Sequence, residues 1–439
     1  MSLIIVLLGI IALVVLIGYF KLNTFLAFIL VSMGIGLGVG MPISDISSTL
    51  QKGIGGTLGF LVIILGCGAM LGKLVADSGA AQRIADSLIA AFPQKYILWA
   101  VVLTGFLVGI PMFYSVGFVI LVPLVFTIGA ATRLPLIYIG LPMLSALSVT
   151  HGYLPPHPAP TALVGQLGAD MGTTLLYGLI VAVPAIILGG PVFATTLKKY
   201  NPKPLPEFMN PKILTDEEIP GLGVSIFTAL FPVILLASAA LLKLFILEDS
   251  FIRPAIDFLG DPVIAMIISI IVAIFTLGIF QTKSMKDIAT SFDLAIKGIA
   301  MILLIIAGAG ALKAVLVESQ VSDYIGSQLA TMDISPLVLA WGIAAIIRVC
   351  VGSATVAGLT SAGIVAPLIP LTGADPNLMV LATGAGSLMF SHVNDSGFWL
   401  FKEFFNMSVT DTLKTWSVME TIVSVAGLVG VLLLNLIVN

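Results

Sequence analysis

Long apolar segments set the strongest limit on what this chain can fold into. A helix needs roughly 20 apolar residues to cross about 30 Å of hydrocarbon. Eight stretches of 18 to 25 predominantly apolar residues meet that need: 3–20, 23–40, 57–75, 174–196, 222–246, 262–280, 296–316 and 416–437. Only 9% of the 439 residues are charged, against about 25% in soluble domains. We therefore expect an all-α polytopic membrane protein whose partner is the lipid bilayer. The sequence contains no cluster of basic residues of the kind that binds nucleic acid.

Loop charges predict the orientation of these spans. Residues 3–20 follow no Lys or Arg and precede no small-residue cleavage site, so they are interpreted as a retained helix rather than a signal peptide. Lys and Arg favour cytoplasmic loops. The segment 197–221 carries four lysines and is placed inside as a linker. Counting spans from this linker puts both termini outside.

An internal duplication divides the chain into residues 1–196 and 222–439. Residues 76–88 align with 317–329, and His151 aligns with His392 at an offset of 241. Loop 73–95 is basic, whereas its counterpart 317–334 is acidic. This predicts two inverted repeats of about five transmembrane helices each. Such repeats are typical of secondary transporters, whose site lies near the midplane.

Each repeat has two apolar segments that are interrupted by helix-breaking residues. Segments 96–130 and 336–372 are broken at 109–115 and at 352–358. Segments 134–167 and 378–406 are polar in the middle, and residues 155–160 contain four prolines. Irregular backbone survives at membrane depth only where it is buried in protein or lines a cavity. The breaks therefore predict a site, although surface loops at 151–160 and 391–399 are the alternative.

The residues at the breaks favour an anion. Gly352, Ser353 and Thr355 offer free amides and hydroxyls at a helix start, where unsatisfied N–H groups and the helix dipole attract negative charge. Arg348 lies one turn earlier in an apolar run. It is a candidate countercharge to a substrate carboxylate, or alternatively a structural partner of an internal acid such as Asp395.

The same motifs resemble signatures of the gluconate permease (GntP) family. They are Gly109-Ile-Pro-Met-Phe-Tyr-Ser-Val-Gly117, His151-Gly-Tyr-Leu-Pro-Pro-His-Pro-Ala-Pro160, Arg348 with Val351-Gly-Ser-Ala-Thr-Val-Ala-Gly-Leu-Thr360, and Ser391-His-Val-Asn-Asp-Ser-Gly-Phe-Trp399. The resemblance covers essentially the whole chain. It implies proton symport of gluconate or a relative such as idonate, fructuronate or D-serine, in the inner membrane of a bacterium.

A wider likeness to ion transporters implies how the segments are used. Segments 96–130 and 336–372 would be re-entrant hairpins, and 134–167 and 378–406 would be unwound helices. The other helices would form a scaffold that pairs two copies of the chain, and the hairpin-bearing domain would carry substrate by an elevator-like movement.

These expectations give a hypothesis for the site. The sugar-acid carboxylate would lie against Gly352, Ser353 and Thr355, with Arg348 nearby. The residues expected to bind its hydroxyls are Ser115, His151, Ser391, Asn394 and Ser396. Histidine titrates in the physiological range, and the candidates for proton coupling are Asp395, His151, His157 and His392.

Other functions remain as alternatives. A sodium-coupled carboxylate or D-serine-type symporter would use the same free carbonyls and hydroxyls. The long polar breaks disfavour a channel. Nothing in the sequence indicates an enzyme, a metal site or a cofactor.

Overall fold

The computed structural model describes residues 2–200, 202–203, 214–319 and 334–438, and every regular element in these ranges is helical. The α-helices of nine or more residues follow in chain order: Ser2–Gly18, Thr24–Gly38, Ile43–Asp77, Ala80–Ala91, Ile97–Gly109, Tyr114–Thr132, Leu136–Tyr153, Pro158–Leu167, Met171–Ile187, Leu222–Phe245, Pro262–Ala273, Met285–Glu318, Pro336–Val351, Ala354–Val365, Pro376–Gly386, Ser396–Phe404 and Val418–Val438. Shorter helices include Arg253–Leu259, Leu368–Thr372 and Val409–Thr412.

Several of these helices are long and apolar enough to cross a membrane. Within the described residues six helical segments qualify, or seven if the bent pair Ile43–Gly59 and Leu61–Asp77 is one span. The six are Leu136–Leu167, Met171–Leu197, Leu222–Lys243, Pro262–Gln281, Met285–Glu318 and Val409–Val438. The prediction of an all-helical, multi-pass membrane protein is therefore confirmed.

Two helices extend well beyond the apolar segments that predicted them. Ile43–Asp77 begins before the predicted segment 57–75, and Met285–Glu318 begins before 296–316. Their first turns are polar, and Ser284 with Asp287 forms a capping box at the start of the second helix. Hydropathy alone missed these turns because they contain no apolar run. The connection 73–95, expected to be a loop, contains the helix Ala80–Ala91.

One interrupted segment is much more buried than the neighbouring candidate spans. An 18-residue stretch of Leu136–Leu167 is 89% buried, whereas the corresponding stretches of Leu222–Lys243 and Pro262–Gln281 are only 33% and 39% buried. The peripheral helices thus present apolar side chains outward, as a lipid-facing shell would. The broken segment Leu136–Leu167 lies inside this shell.

Helices are broken at all four predicted places. The first break is Ile110–Phe113, the second is Leu154–His157, the third is Gly352–Ser353 and the fourth is Ser387–Asp395. Prolines explain the second break, because proline lacks a backbone donor and clashes with the preceding turn. At the third, Gly352 has φ +82°, a conformation that side chains with a Cβ rarely adopt.

Helices also recur at a nearly constant spacing. The helices that start at Ile43, Ile97, Tyr114, Leu136 and Pro158 have counterparts that start 238 to 242 residues later, at Met285, Pro336, Ala354, Pro376 and Ser396. The predicted match between residues 76–88 and 317–329 falls largely on 320–333, outside the described residues. The middle of the linker 197–221, at 204–213, also lies outside them.

The two longest helices cross closely at glycines. A Cβ built on Gly53 would lie 2.5 Å from the carbonyl oxygen of Gly310 and 2.7 Å from Cβ of Ala314. Small residues let helix backbones approach in this way in membranes. Gly55, on the same helix, has open space around its Cβ position and provides a matched control.

We therefore predict that Gly53→Ala lowers the melting temperature of the purified protein in detergent more than Gly55→Ala does. Both changes gain the same helix propensity, so the difference between their melting temperatures reports the close contact between the two helices at Gly53. Overpacking of this kind typically costs about 1–3 kcal/mol. Equal melting temperatures for the two variants would show that the helices do not approach at Gly53.

Candidate functional site

A cavity of about 230 Å³ lies where the four breaks meet. Each break, or a helix end beside it, contributes to its wall. The lining residues are Phe113, Tyr114, Ser148, His151, Ile302, Arg348, Gly352, Ser353, Ala354, Thr355, Leu388, Asp395, Ser396, Gly397, Trp416 and Glu420. The structure thus brings together residues from both halves of the chain that are far apart in sequence.

An ion pair joins the third break to the fourth. Nη2 of Arg348 donates to Oδ2 of Asp395 at 2.5 Å, and the two side chains are only 4% and 15% exposed. Asp395 also accepts from Oγ of Ser391 and, through Oδ1, from the amide of Gly397 at 3.0 Å. The alternative considered from the sequence, a structural pair of Arg348 with Asp395, is therefore what the structure contains.

Arg348 nevertheless retains unused donors. Its Nε and Nη1 atoms are buried and have no hydrogen-bond partner among the described residues. A buried guanidinium N–H without a partner is costly, so these atoms suit an acceptor that enters the cavity. One side chain can then hold Asp395 and still present donors to an anion.

A helix start lies beside this cation. The helix Ala354–Val365 begins at the cavity, and Oγ of Ser353 accepts from the amide of Val356 at 3.3 Å. The first turn of a helix has four amides without intrahelical partners, and Ser353 satisfies one of them. Thr355 lines the cavity in the same turn, so this wall combines free amides, hydroxyls and the positive end of a helix dipole.

Gly352 allows the backbone of the third break to approach the backbone of the fourth closely. A Cβ on this residue would lie 2.3 Å from the carbonyl oxygen of Asn394. Close approach of two backbones, together with a positive φ, explains why glycine stands here.

Several predicted site residues instead donate hydrogen bonds to backbone carbonyls that lose their helical partners at the breaks. Nε2 of His157 donates to the carbonyl of Gly109 at 2.7 Å. The carbonyl of Val349 accepts from Nε2 of His392 at 2.9 Å and from Nδ2 of Asn394 at 2.8 Å. Side chains of the second break thus donate hydrogen bonds to a carbonyl beside the first break, and side chains of the fourth break do the same beside the third. His157, His392 and Asn394 do not line the cavity within the described structure.

Ser391 also lies behind the cavity wall. Its hydroxyl donates to Asp395 and accepts from Nε1 of Trp416 at 2.8 Å. It positions the ion pair rather than facing the open space. The side chain of Ser115 lies outside the described part of the structure. Of the residues expected to bind hydroxyls, His151 and Ser396 line the cavity.

The first half contributes polar atoms without hydrogen-bond partners to the cavity wall. Nδ1 of His151 and Oη of Tyr114 are buried without a hydrogen-bond partner in the described ranges. Their ring centroids lie 6.1 Å apart. Together with Arg348, they give the cavity donors and acceptors from both halves of the chain.

The sequence analysis missed Glu420. This acid lines the cavity, is 2% exposed and accepts at 2.7 Å from the hydroxyl of Ser148, another residue that was not predicted. A signal was available, because Glu420 is the acidic residue within the apolar segment 416–437. An ionisable residue inside a membrane span is a candidate functional residue by default.

The ion pair leads to a stability prediction. Asp395→Asn removes the carboxylate that pairs with the buried Arg348, and breaking a buried pair by removing one partner typically costs about 3–5 kcal/mol. We expect a clear fall in melting temperature in detergent. Glu403→Gln, which breaks the exposed pair with Lys402, should change it little, because surface pairs contribute about 0–1 kcal/mol.

The double variant Arg348→Met with Asp395→Leu serves as a second check. It removes both charges and should be more stable than Asp395→Asn, since no guanidinium without its partner remains. A melting temperature for Asp395→Asn equal to that of Glu403→Gln would contradict a buried ion pair.

Comparison with known proteins identifies the family of this chain. The sequence model of the GntP family permease matches residues 1–437. The high-affinity gluconate transporter of Escherichia coli K12 is 53% identical over 439 residues, with 100% of both chains covered. The Gnt-II system L-idonate transporter of the same organism is 49% identical, again over 100% of both. The fold is similar to that of the Alcanivorax borkumensis YdaH transporter, with a TM-score of 0.67, 19% identity, and 94% and 97% of the two chains covered. The chain therefore belongs to the GntP family of permeases.

Proposed function

We propose that this protein takes up gluconate, or a closely related sugar acid, together with protons across the bacterial inner membrane. Its relatives include proteins named as a gluconate transporter and an L-idonate transporter at 53% and 49% identity. The substrate of such proteins is a small polyhydroxylated carboxylate. A cavity of about 230 Å³ lined by one cation, hydroxyls and aromatic side chains suits that chemistry.

The observation that carries the proposal is the pair of unused donors on Arg348. A guanidinium binds carboxylates through charge-assisted hydrogen bonds, which are about twice as strong as neutral ones. Nε and Nη1 are buried without partners in the described structure. The substrate carboxylate would accept from them and from the amides of Ser353, at the N-cap, and of Thr355, in the first turn. The hydroxyls of the sugar acid would bind His151, Ser396 and Tyr114 on the other walls.

Transport requires that the cavity open to each side in turn, and we propose that it does so by alternating access. The supporting observation is that both halves of the chain line the same cavity. If the halves are inverted repeats with re-entrant hairpins, the two open states would be related by pseudo-symmetry.

We further propose an elevator-like movement on a scaffold that pairs two copies of the chain. All but one of the cavity residues belong to the broken helices and the last helix with its preceding turn, whereas the long helix Met285–Glu318 contributes only Ile302. Because the long helix contributes so little to the cavity, the bound substrate could move past it while few contacts between substrate and long helix change.

The direct test is uptake by the purified protein in liposomes. With an inside-alkaline pH gradient and no sodium, we expect labelled gluconate to accumulate above its outside concentration. Accumulation that needs a sodium gradient instead would favour a sodium-coupled carboxylate symporter. Competition by idonate, fructuronate and D-serine would then rank these compounds by their affinity for the transporter.

Thr355 provides a matched test of the carboxylate site. Thr355→Val removes the hydroxyl but keeps the shape, whereas Thr355→Ser keeps the hydroxyl. We expect the first change to raise the KM for gluconate about tenfold, because a hydrogen bond to a charged group contributes about 1.5–3 kcal/mol. The second should stay within about threefold of the wild type. Equal KM values for both variants would place the carboxylate elsewhere.

A further inference from the structure

Glu420 is a buried carboxyl group that the ion pair in the cavity does not neutralise. It lies in the first turn of the helix Val418–Val438 and is 2% exposed. Oε1 accepts from Oγ of Ser148 at 2.7 Å, which joins the last helix to a helix of the first half. Oε2 is buried and has no hydrogen-bond partner in the part of the chain that the structure describes.

The groups around Glu420 leave its charge uncompensated. Arg348 and Asp395 line the same cavity and pair with each other at 2.5 Å. The remaining titratable neighbours are His151 and Tyr114 in the cavity wall and Tyr153, whose hydroxyl donates to the carbonyl of Val423. With one guanidinium and two carboxylates, the cavity would carry one excess negative charge. A buried charge without a partner is strongly unfavourable.

A sugar acid brings a second negative charge into this space. Arg348 can face the entering carboxylate with its unused donors, but it already balances Asp395. The cavity then holds one cation and, if Glu420 is ionised, three anions. Binding one proton at Glu420 removes one of these charges without moving any helix. It also converts the partnerless Oε2 into a hydroxyl group.

We propose that Glu420 is the group that binds the transported proton, with one proton carried for each sugar-acid anion. This inference rests on the proposed proton-coupled uptake. When the cavity faces outside, a hydronium ion from the aqueous phase transfers its proton to Oε2, and an O–H bond forms as water leaves. The substrate then binds as the carboxylate. When the cavity faces inside, the substrate departs, the O–H bond breaks and water accepts the proton.

This assignment differs from the four groups that the sequence suggested. Asp395 already accepts from Arg348, Ser391 and Gly397. His157 and His392 donate to backbone carbonyls of the breaks. His151 remains in the cavity, so His151→Gln is the natural comparison for Glu420→Gln.

The test separates net transport from exchange in liposomes. Exchange of labelled for unlabelled gluconate needs no net proton movement, whereas uptake driven by a pH gradient does. For Glu420→Gln we expect exchange within about threefold of the wild type and loss of pH-driven accumulation. Glu403→Gln, an exposed acid paired with Lys402, should keep both activities.

The outcomes are distinguishable. If the wild type itself does not accumulate gluconate under a pH gradient, the proposed function fails. If the wild type accumulates it and Glu420→Gln does so equally, the assignment of Glu420 is overturned. Loss of accumulation with retained exchange in His151→Gln, but not in Glu420→Gln, would move the proton site to His151.

A second variant keeps the proposal open to refutation if Glu420→Gln does not fold. Ser148→Ala preserves the carboxyl group but removes the hydrogen bond to Oε1. Because that bond favours the ionised form, its loss should move the pH profile of gluconate uptake to higher pH, with a smaller effect on maximal exchange. An unchanged pH profile in a folded Ser148→Ala protein would overturn the proposal.

Discussion

The structure depends on one constraint, namely that a helix broken at membrane depth must find hydrogen-bond partners for its backbone within the protein. Here the breaks supply partners for one another. His157 in the second break binds the carbonyl of Gly109 beside the first, and His392 and Asn394 in the fourth bind the carbonyl of Val349 beside the third. Each half therefore holds its own pair of breaks together, and the cavity forms between the two pairs.

Charge imposes the second constraint. Arg348 and Asp395 neutralise each other across the third and fourth breaks, so the cavity can contain an arginine without a net charge. Glu420 enters from the last helix and is held by Ser148 from the first half. The cavity thus combines an ion pair with a carboxyl group that forms no ion pair among the described residues. This asymmetry is what links anion binding to proton binding in our proposal.

Sequence reasoning predicted the broken helices well, because Pro and Gly act locally on φ, ψ and backbone donors. The runs around Pro155 and Gly352 become breaks whatever surrounds them. It was less successful with the roles of polar residues inside the breaks. We expected four side chains to bind substrate or transported protons, namely Ser391, Asn394, His157 and His392. A side chain beside a break, however, can donate a hydrogen bond to a backbone carbonyl as readily as it can line a cavity. Only the positions of neighbouring segments decide between the two.

The sequence by itself determined that the chain is an all-helical membrane protein with four helix breaks, because hydropathy and helix breaking depend on residues that are close together in the chain. The tertiary structure decided which polar groups meet. Ser148 and Glu420 are 272 residues apart, and Arg348 and Asp395 are 47 apart. Their pairing depends on how helices pack rather than on any local pattern. The charge balance of the cavity, and with it the importance of Glu420, could be recognised only after these contacts were known.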